Sequence, residues 1–209
     1  MRCIVKVDPR LRIESPQDLP VAPRVVYLSG SVEESTAAEL RRNLEEAESH
    51  AIAAGHDIIP LVIDTYGGDI YATFSIVDAM QACSLPIATI AEGKVMSAGA
   101  VIFSCGEDGH RYIAPTATVM IHEASHSLDG RNELIKAESA EVDRLNKLAL
   151  QMMAENCGHD DKDYFIKLLH EKRYVDWYLT PKDCKKHKLA NHVSIPTFQV
   201  DVDVSYSFG

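Results

Sequence analysis

Ser97 stands in the run Met96, Ser97, Ala98, Gly99, Ala100, where a segment of small residues begins that reads as a helix over 98–105. A hydroxyl there lies at the positive end of the helix, and the amide of Ala98 points where an oxyanion develops in acyl transfer. Serine also caps helices in many structures, and for the position taken alone the capping role is the favoured one. Gly67 and Gly68 close an apolar strand. Two glycines free the backbone to present amides to a ligand, although a plain turn uses the same residues. If these two strand ends face one crevice, the amides of Gly68 and Ala98 supply a pair of oxyanion donors. His122 ends the apolar run Val119, Met120, Ile121, and an imidazole at a strand end takes a proton from a hydroxyl on a neighbouring strand. Asp176 lies between Tyr174 and the pair Trp177 and Tyr178, an acid in aromatic surroundings that a histidine ring nitrogen would satisfy.

Other chemistries compete for the same residues. The spacing around Ser97 departs from the GxSxG elbow, because Val95 occupies the first glycine position, so an α/β-hydrolase is disfavoured. His122, Glu123, Ala124, Ser125 and His126 spell HExxH, which in a zinc peptidase puts two ligands one helical turn apart around a glutamate base. That geometry requires a helix, whereas this motif follows a strand and is closed by Ser127, Asp129 and Gly130. No metal and no cofactor is expected. The five cysteines, at 3, 83, 105, 157 and 184, form no CxxC pair and are odd in number, which argues against both a zinc ribbon and a secreted disulfide framework.

The elements that must hold these residues alternate along the chain. Residues 25–28 read as a strand, and Ser31 with Glu34 as a capping box for a helix that stops at Gly55. A second strand over 58–63, a tight turn at Gly67 and Gly68, and a helix over 70–83 repeat the unit. A third strand over 86–91, a connection over 93–97 and the small-residue helix repeat it again. After the strand ending at His122 come a long helix over 131–156, a shorter one near 162–171, and a last helix opened by Thr180, Pro181 and Asp183. Ile135, Val142, Leu145, Ala149 and Met152 form a stripe on the long helix that predicts core or subunit interface. The pattern is α/β, stacked β-turn-α units with a largely parallel sheet. Residues 1–23, with four prolines, read as an N-terminal arm, residues 24–195 as one domain, and residues 196–209 as a strand-like tail seeking a sheet edge or groove.

Composition narrows the function. The 209 residues are 46% hydrophobic and 25% charged, enough for one domain that buries roughly 70% of its unfolded surface. With 21 basic against 31 acidic residues the formal charge is -10, a field that repels polyanions, so no nucleic-acid partner is expected. No apolar run approaches the roughly 20 residues of a membrane span and no signal core opens the chain, so no membrane partner and a cytoplasmic location are expected.

Taken together, Tyr66 to Gly68, Gly93 to Ala100, Val119 to His122 and Asp176 to Thr180, in this order and spacing, resemble the proteolytic subunits of the Clp protease family over roughly residues 24–195. The resemblance implies a crotonase-like fold with a protruding strand-helix handle and a serine endopeptidase with a Ser97, His122, Asp176 triad. It implies oxyanion amides at Gly68 and Ala98 and a substrate strand running along Gly67, Glu123, Ala124 and Ser125. It further implies a homo-oligomeric ring, a heptamer and possibly a double ring, that encloses the sites, cuts polypeptides, and is fed by an AAA+ ATPase unfoldase. The chain has no GxxxxGK[ST], which assigns ATP to that partner. Where the family usually has proline before the two glycines this chain has Tyr66, and Ala98 replaces methionine after the serine. The stretch after His122 lacks most of the family's glycines and Val175 replaces the arginine before the triad acid, so two rings are expected to pair weakly. An inactive ring subunit with a structural or regulatory role, and a crotonase-type acyl-CoA enzyme, are the other readings that this fold would allow.

Overall fold

Apolar runs rich in β-branched residues become strands here, and the three longest are each followed by a helix. The computed structural model describes residues 2–6, 21–124, 130–173 and 175–201. The elements run β1 (Arg2–Lys6), β2 (Val26–Val32), α1 (Glu34–Ala54), β3 (Ile59–Gly68), α2 (Ile70–Ala82), β4 (Ile87–Met96), α3 (Ala98–Ser104), β5 (Arg111–Ile113) and β6 (Thr118–Ile121). They continue with α4 (Asn132–Asn156), α5 (Tyr164–Glu171), β7 (Trp177–Leu179), α6 (Pro181–Lys186), β8 (His192–Val193) and β9 (Thr197–Asp201). A seven-stranded sheet has the order β2-β3-β4-β5-β8, with β6 on β4 and β7 on β6. All of its pairings are parallel except β6 with β7.

The sheet branches at β4. Its first half pairs with β5, Thr89 to Ala91 against Arg111 to Ile113, and its second half pairs with β6, Lys94 to Met96 against Thr118 to Met120. The strand expected to end at Ala91 therefore runs on to Met96, and the expected connection over 93–97 is mostly ladder. Gly67 and Gly68 likewise close β3 rather than form a separate turn, because shifts of register before Ser31 and Thr65 carry the pairing onward to Ser31↔Gly67 and Val32↔Gly68. The Ser31 capping box does not form. Ser31 stays in β2, its carbonyl accepts from the Thr36 hydroxyl, and α1 opens from Glu33 without a side-chain cap. At α6 the expectation holds: Thr180 and Asp183 make the reciprocal box, with Pro181 in the first turn.

Leu28, Ile59, Leu61, Ile63, Val95, Ile102, Phe103 and Val119 are among the buried apolar residues of the core. Helix α4 is divided. From Leu145 onward it buries Leu145, Ala149, Leu150, Met153 and Ala154 against α3 and α5, whereas Asn132 to Arg144 has no buried residue. Its foot is pinned where the Tyr71 hydroxyl donates to Glu141, which also takes two bonds from Arg144; the Arg144 bonds hold the Glu141 carboxyl down at about 2. The first half of the tail forms β9, which pairs in parallel with β1 in a separate two-stranded sheet, and residues 202–209 lie outside the described residues.

Two buried polar groups join the carboxyl-terminal segment to this body. Arg111 is 2% exposed, and its guanidinium donates to the carbonyls of Leu189 (3.2 Å), Gly106 (3.0 Å) and Lys188 (3.3 Å) and to Asp108. Arg111→Met should cost about 3 kcal/mol in urea unfolding, because it strands carbonyls that water cannot reach; a loss below 1 kcal/mol would remove Arg111 from this role. His187 is buried with its Nδ1 2.7 Å from the Tyr164 hydroxyl and its ring edge-on to Trp177. Burial, with Lys186 beside it, holds the His187 pKa below its ordinary 6.5. The unfolded chain then takes up the proton first, so this contribution to stability is intact above pH 6.5 and declines as pH falls below it. Unfolding at pH 7.5 and 5.5 should show a smaller acid-side loss in His187→Gln than in the wild type; equal losses would contradict the linkage.

Candidate active site

Three registers decide where the chemistry-bearing side chains meet. Met96↔Met120 places Ser97, the residue after β4, beside the end of β6, and the Ser97 amide donates to the Met120 carbonyl at 2.8 Å. Ile121↔Trp177 in the antiparallel pair sets the next residues, His122 and Asp176, opposite one another. Thr65↔Val95 carries the end of β3, with Gly67 and Gly68, alongside the same turn. The result is a chain of contacts: Ser97 Oγ lies 2.8 Å from His122 Nε2, and His122 Nδ1 lies 3.4 Å from Asp176 Oδ1. The imidazole is three-quarters covered, while the carboxyl is half exposed.

The backbone at Ser97 is strained. Its φ of 53° and ψ of -118° leave the regions open to a residue with a Cβ, at a cost of about 1–3 kcal/mol, and such strain concentrates where a side chain is held for chemistry. The sharp strand-to-helix turn lifts the hydroxyl out of the sheet and opens α3 at Ala98. As the first residue of a helix, Ala98 has an amide that no carbonyl of that helix can accept. The amides on either side of Gly68 are engaged, Gly67 with Thr65 Oγ1 at 2.9 Å and Asp69 with the Val32 carbonyl at 2.8 Å. Both glycines are required by space. A Cβ at Gly67 would meet the Met96 carbonyl and Ser97 Cβ, each at 2.8 Å, and one at Gly68 would meet the Val32 carbonyl at 2.2 Å.

Ser97, Ala98, His122, Gly68 and Tyr66 line the polar mouth of a cavity of about 370 Å³. Its apolar lining includes Ile70, Val101, Val142, Leu145, Ala149 and Met153. Of the expected stripe on α4, Val142, Leu145 and Ala149 line the cavity and Met152 packs against the core, whereas Ile135 is in neither. Among the described residues burial raises the thiols of Cys83, Cys105, Cys157 and Cys184, Cys105 to about 11 and Cys157 and Cys184 to about 12, and none of the four lines this cavity.

Residues 122–124, the described part of the HExxH run, are not helical; Ser125 and His126 lie outside the described residues. Glu123 faces Nε2 of His170 at 3.7 Å, and the Ala124 amide donates to Asn146 Oδ1 at 3.0 Å. Among the described residues no group of three or more His, Cys, Asp or Glu could hold a metal ion, and no helix is long and apolar enough to cross a membrane. Asn146 and Thr65 escape sequence reasoning. Asn146 sits one place from the apolar stripe and Thr65 reads as ordinary strand, yet Thr65, fully buried, donates to the Gly30 carbonyl while accepting from Gly67.

Comparison with known proteins agrees with this architecture. A family model described as Clp protease matches residues 16–196. The chain belongs to the Clp protease family. It is 28% identical over 165 residues, 75% of this chain and 71% of the relative, to the ATP-dependent Clp protease proteolytic subunit 1 of Rhodopirellula baltica. Membership in the Clp protease family accounts for the mixed α/β fold with its mostly parallel sheet and for a peptidase activity.

Because Gly67 packs against the strained turn, Gly67→Ala should lower stability by roughly 2 kcal/mol, through φ of 97° and through the contacts with Met96 and Ser97. Thermal or urea unfolding checks this, and an unchanged midpoint would show that the turn yields freely.

Proposed function

We propose that this protein is a serine endopeptidase that hydrolyses peptide bonds of unfolded proteins or peptides inside a homo-oligomeric ring, in the cytoplasm. The observation that carries the reading is the contact chain from Ser97 Oγ through His122 to Asp176 at the end of a strained turn. His122 Nε2 takes the proton as Oγ attacks the carbonyl carbon, and Asp176 orients the ring and stabilises the imidazolium. The tetrahedral oxyanion is held by the amides of Gly68 and Ala98, each such donor being worth about 3 kcal/mol of transition-state stabilisation. His122 then passes the proton to the leaving amine, and water, deprotonated by the same ring, releases the acyl group from Ser97. In this reading Glu123, Ala124 and Ser125 on one side and Gly67 on the other flank the substrate strand.

The relative in Rhodopirellula baltica is named as an ATP-dependent proteolytic subunit. In this reading a separate AAA+ ATPase unfolds and feeds substrates, and seven copies form the ring, whose pairing with a second ring is weak. An inactive ring subunit would keep the fold without needing a strained serine beside a histidine. A fluorophosphonate should label Ser97 stoichiometrically, native mass spectrometry should show a seven-subunit particle bearing one adduct per chain, and Ser97→Ala should lower peptide hydrolysis by several orders of magnitude while chelation leaves it unchanged. Activity lost to chelation and restored by zinc overturns the serine mechanism, and a monomer overturns the ring.

A further inference from the structure

Tyr66 is the feature of the cavity that the proposed reaction leaves unused. It is the most exposed of the large apolar side chains described, at 71%, yet it lines the same mouth as Ser97, Ala98 and His122. An exposed ring at a mouth is ordinarily mobile, and this one is held. The Lys94 ammonium lies 4.7 Å from the ring centroid, and that ammonium is fixed by Asp64 Oδ1 at 2.7 Å, which also accepts from the Lys94 backbone amide at 3.3 Å. The two strands are neighbours in the ladder, so the clamp runs from β3 to β4 and back. Asp64 in turn lies against Gly93, where a Cβ would come within 3.0 Å of its carboxylate.

Position along β3 says which part of a bound chain would meet this ring. Gly68, the proposed oxyanion donor, stands between Tyr66 two residues before it and Ile70 two residues after it. Ile70 lines the cavity together with the apolar Val142, Leu145 and Met153, and the proposed reaction assigns this apolar lining to the side chain on the acyl side of the scissile bond. Tyr66, before Gly68 on the same strand, is by this reasoning assigned to the side of the departing amine. We propose that Tyr66, clamped by Lys94 and Asp64, is a specificity-determining platform for the residue that follows the scissile bond, and that it favours aromatic and large apolar side chains there. This rests on the serine peptidase reading above.

The chemistry of the clamp sets the preference. A cation over one face draws electron density from the ring, so the opposite face stacks well on another aromatic ring or an apolar chain and poorly on lysine or arginine. The ring also has little conformational freedom left to lose on binding.

The test uses two internally quenched peptides that differ only after the cleaved bond, phenylalanine in one and glycine in the other, with the full-length protein. Their ratio of kcat/KM is the readout, so a general change in the enzyme cancels. The wild type should favour phenylalanine by roughly 3–10-fold, as aromatic stacking supplies. Tyr66→Ala should bring the ratio near one, and Tyr66→Phe should keep it. A ratio unchanged in Tyr66→Ala, or lost equally in Tyr66→Phe, overturns the platform. Cleavage that survives Ser97→Ala overturns the serine reading instead, whereas Ser97-dependent cleavage with an indifferent Tyr66→Ala overturns only this inference. The same two peptides binding to Ser97→Ala, followed by fluorescence anisotropy, should show the same preference in affinity and its loss in the Tyr66→Ala background.

Discussion

One strand pairs with two partners on the same edge, and the site depends on that branching. β4 gives its first half to β5 and its second half to β6, and only the second pairing brings Ser97 to the end of β6. Register in a parallel ladder is discrete, and a slip of one residue sends each side chain to the opposite face. A slip between β4 and β6 would therefore turn His122 away from Ser97, and a slip between β6 and β7 would turn Asp176 away from His122. The buried faces of Val95, Val119, Ile121 and Leu179 are what penalise such slips, since each would exchange a buried apolar side chain for a polar neighbour. Positioning of the polar residues is thus enforced by apolar ones that never touch a substrate.

Close packing extends this to the glycines. Gly68 lets β3 approach Val32 so tightly that a methyl group would overlap its carbonyl, and Gly67 receives the underside of the Ser97 turn. Thr65 links these, with one hydroxyl that reaches β2 through Gly30 and holds the Gly67 amide. A side chain in the sheet interior thereby fixes the backbone on which the cavity mouth is built. Below that mouth α4 provides the wall, and the half of the helix beyond Arg144 is the half that the core covers.

The alternation of strands and helices is legible in the sequence because β2, β3 and β4 are long apolar runs and α1, α2 and α4 keep a helical period. The residues Ser97, His122 and Asp176 are legible as chemistry because each stands at the end of an apolar strand or beside an aromatic one. What was hidden follows from short-range signals failing. β5 and β7 have three residues each and β8 has two, too few to display a period, and they exist because Arg111 and the β6 ladder hold them. The extension of β4 to Met96 was masked by Gly93, which reads as a break but serves as the point where Asp64 approaches. Ser31 looked like a cap because serine followed by glutamate three places later suits one; the strand's pairing with Gly67 is the stronger claim on it. Asn146 carries no local signature, since its partner Ala124 is 22 residues away.

The conformation of Ser97 sets chemistry against thermodynamics at a single residue. Glycine would occupy φ 53° and ψ -118° without the penalty a Cβ incurs, so a chain optimised for folding free energy alone would not carry serine there. The hydroxyl is held in place by its surroundings against the preference of its own backbone. In the proposed reaction the hydroxyl answers a demand other than stability, and a more stable relative of this sequence would be one that has given that hydroxyl up.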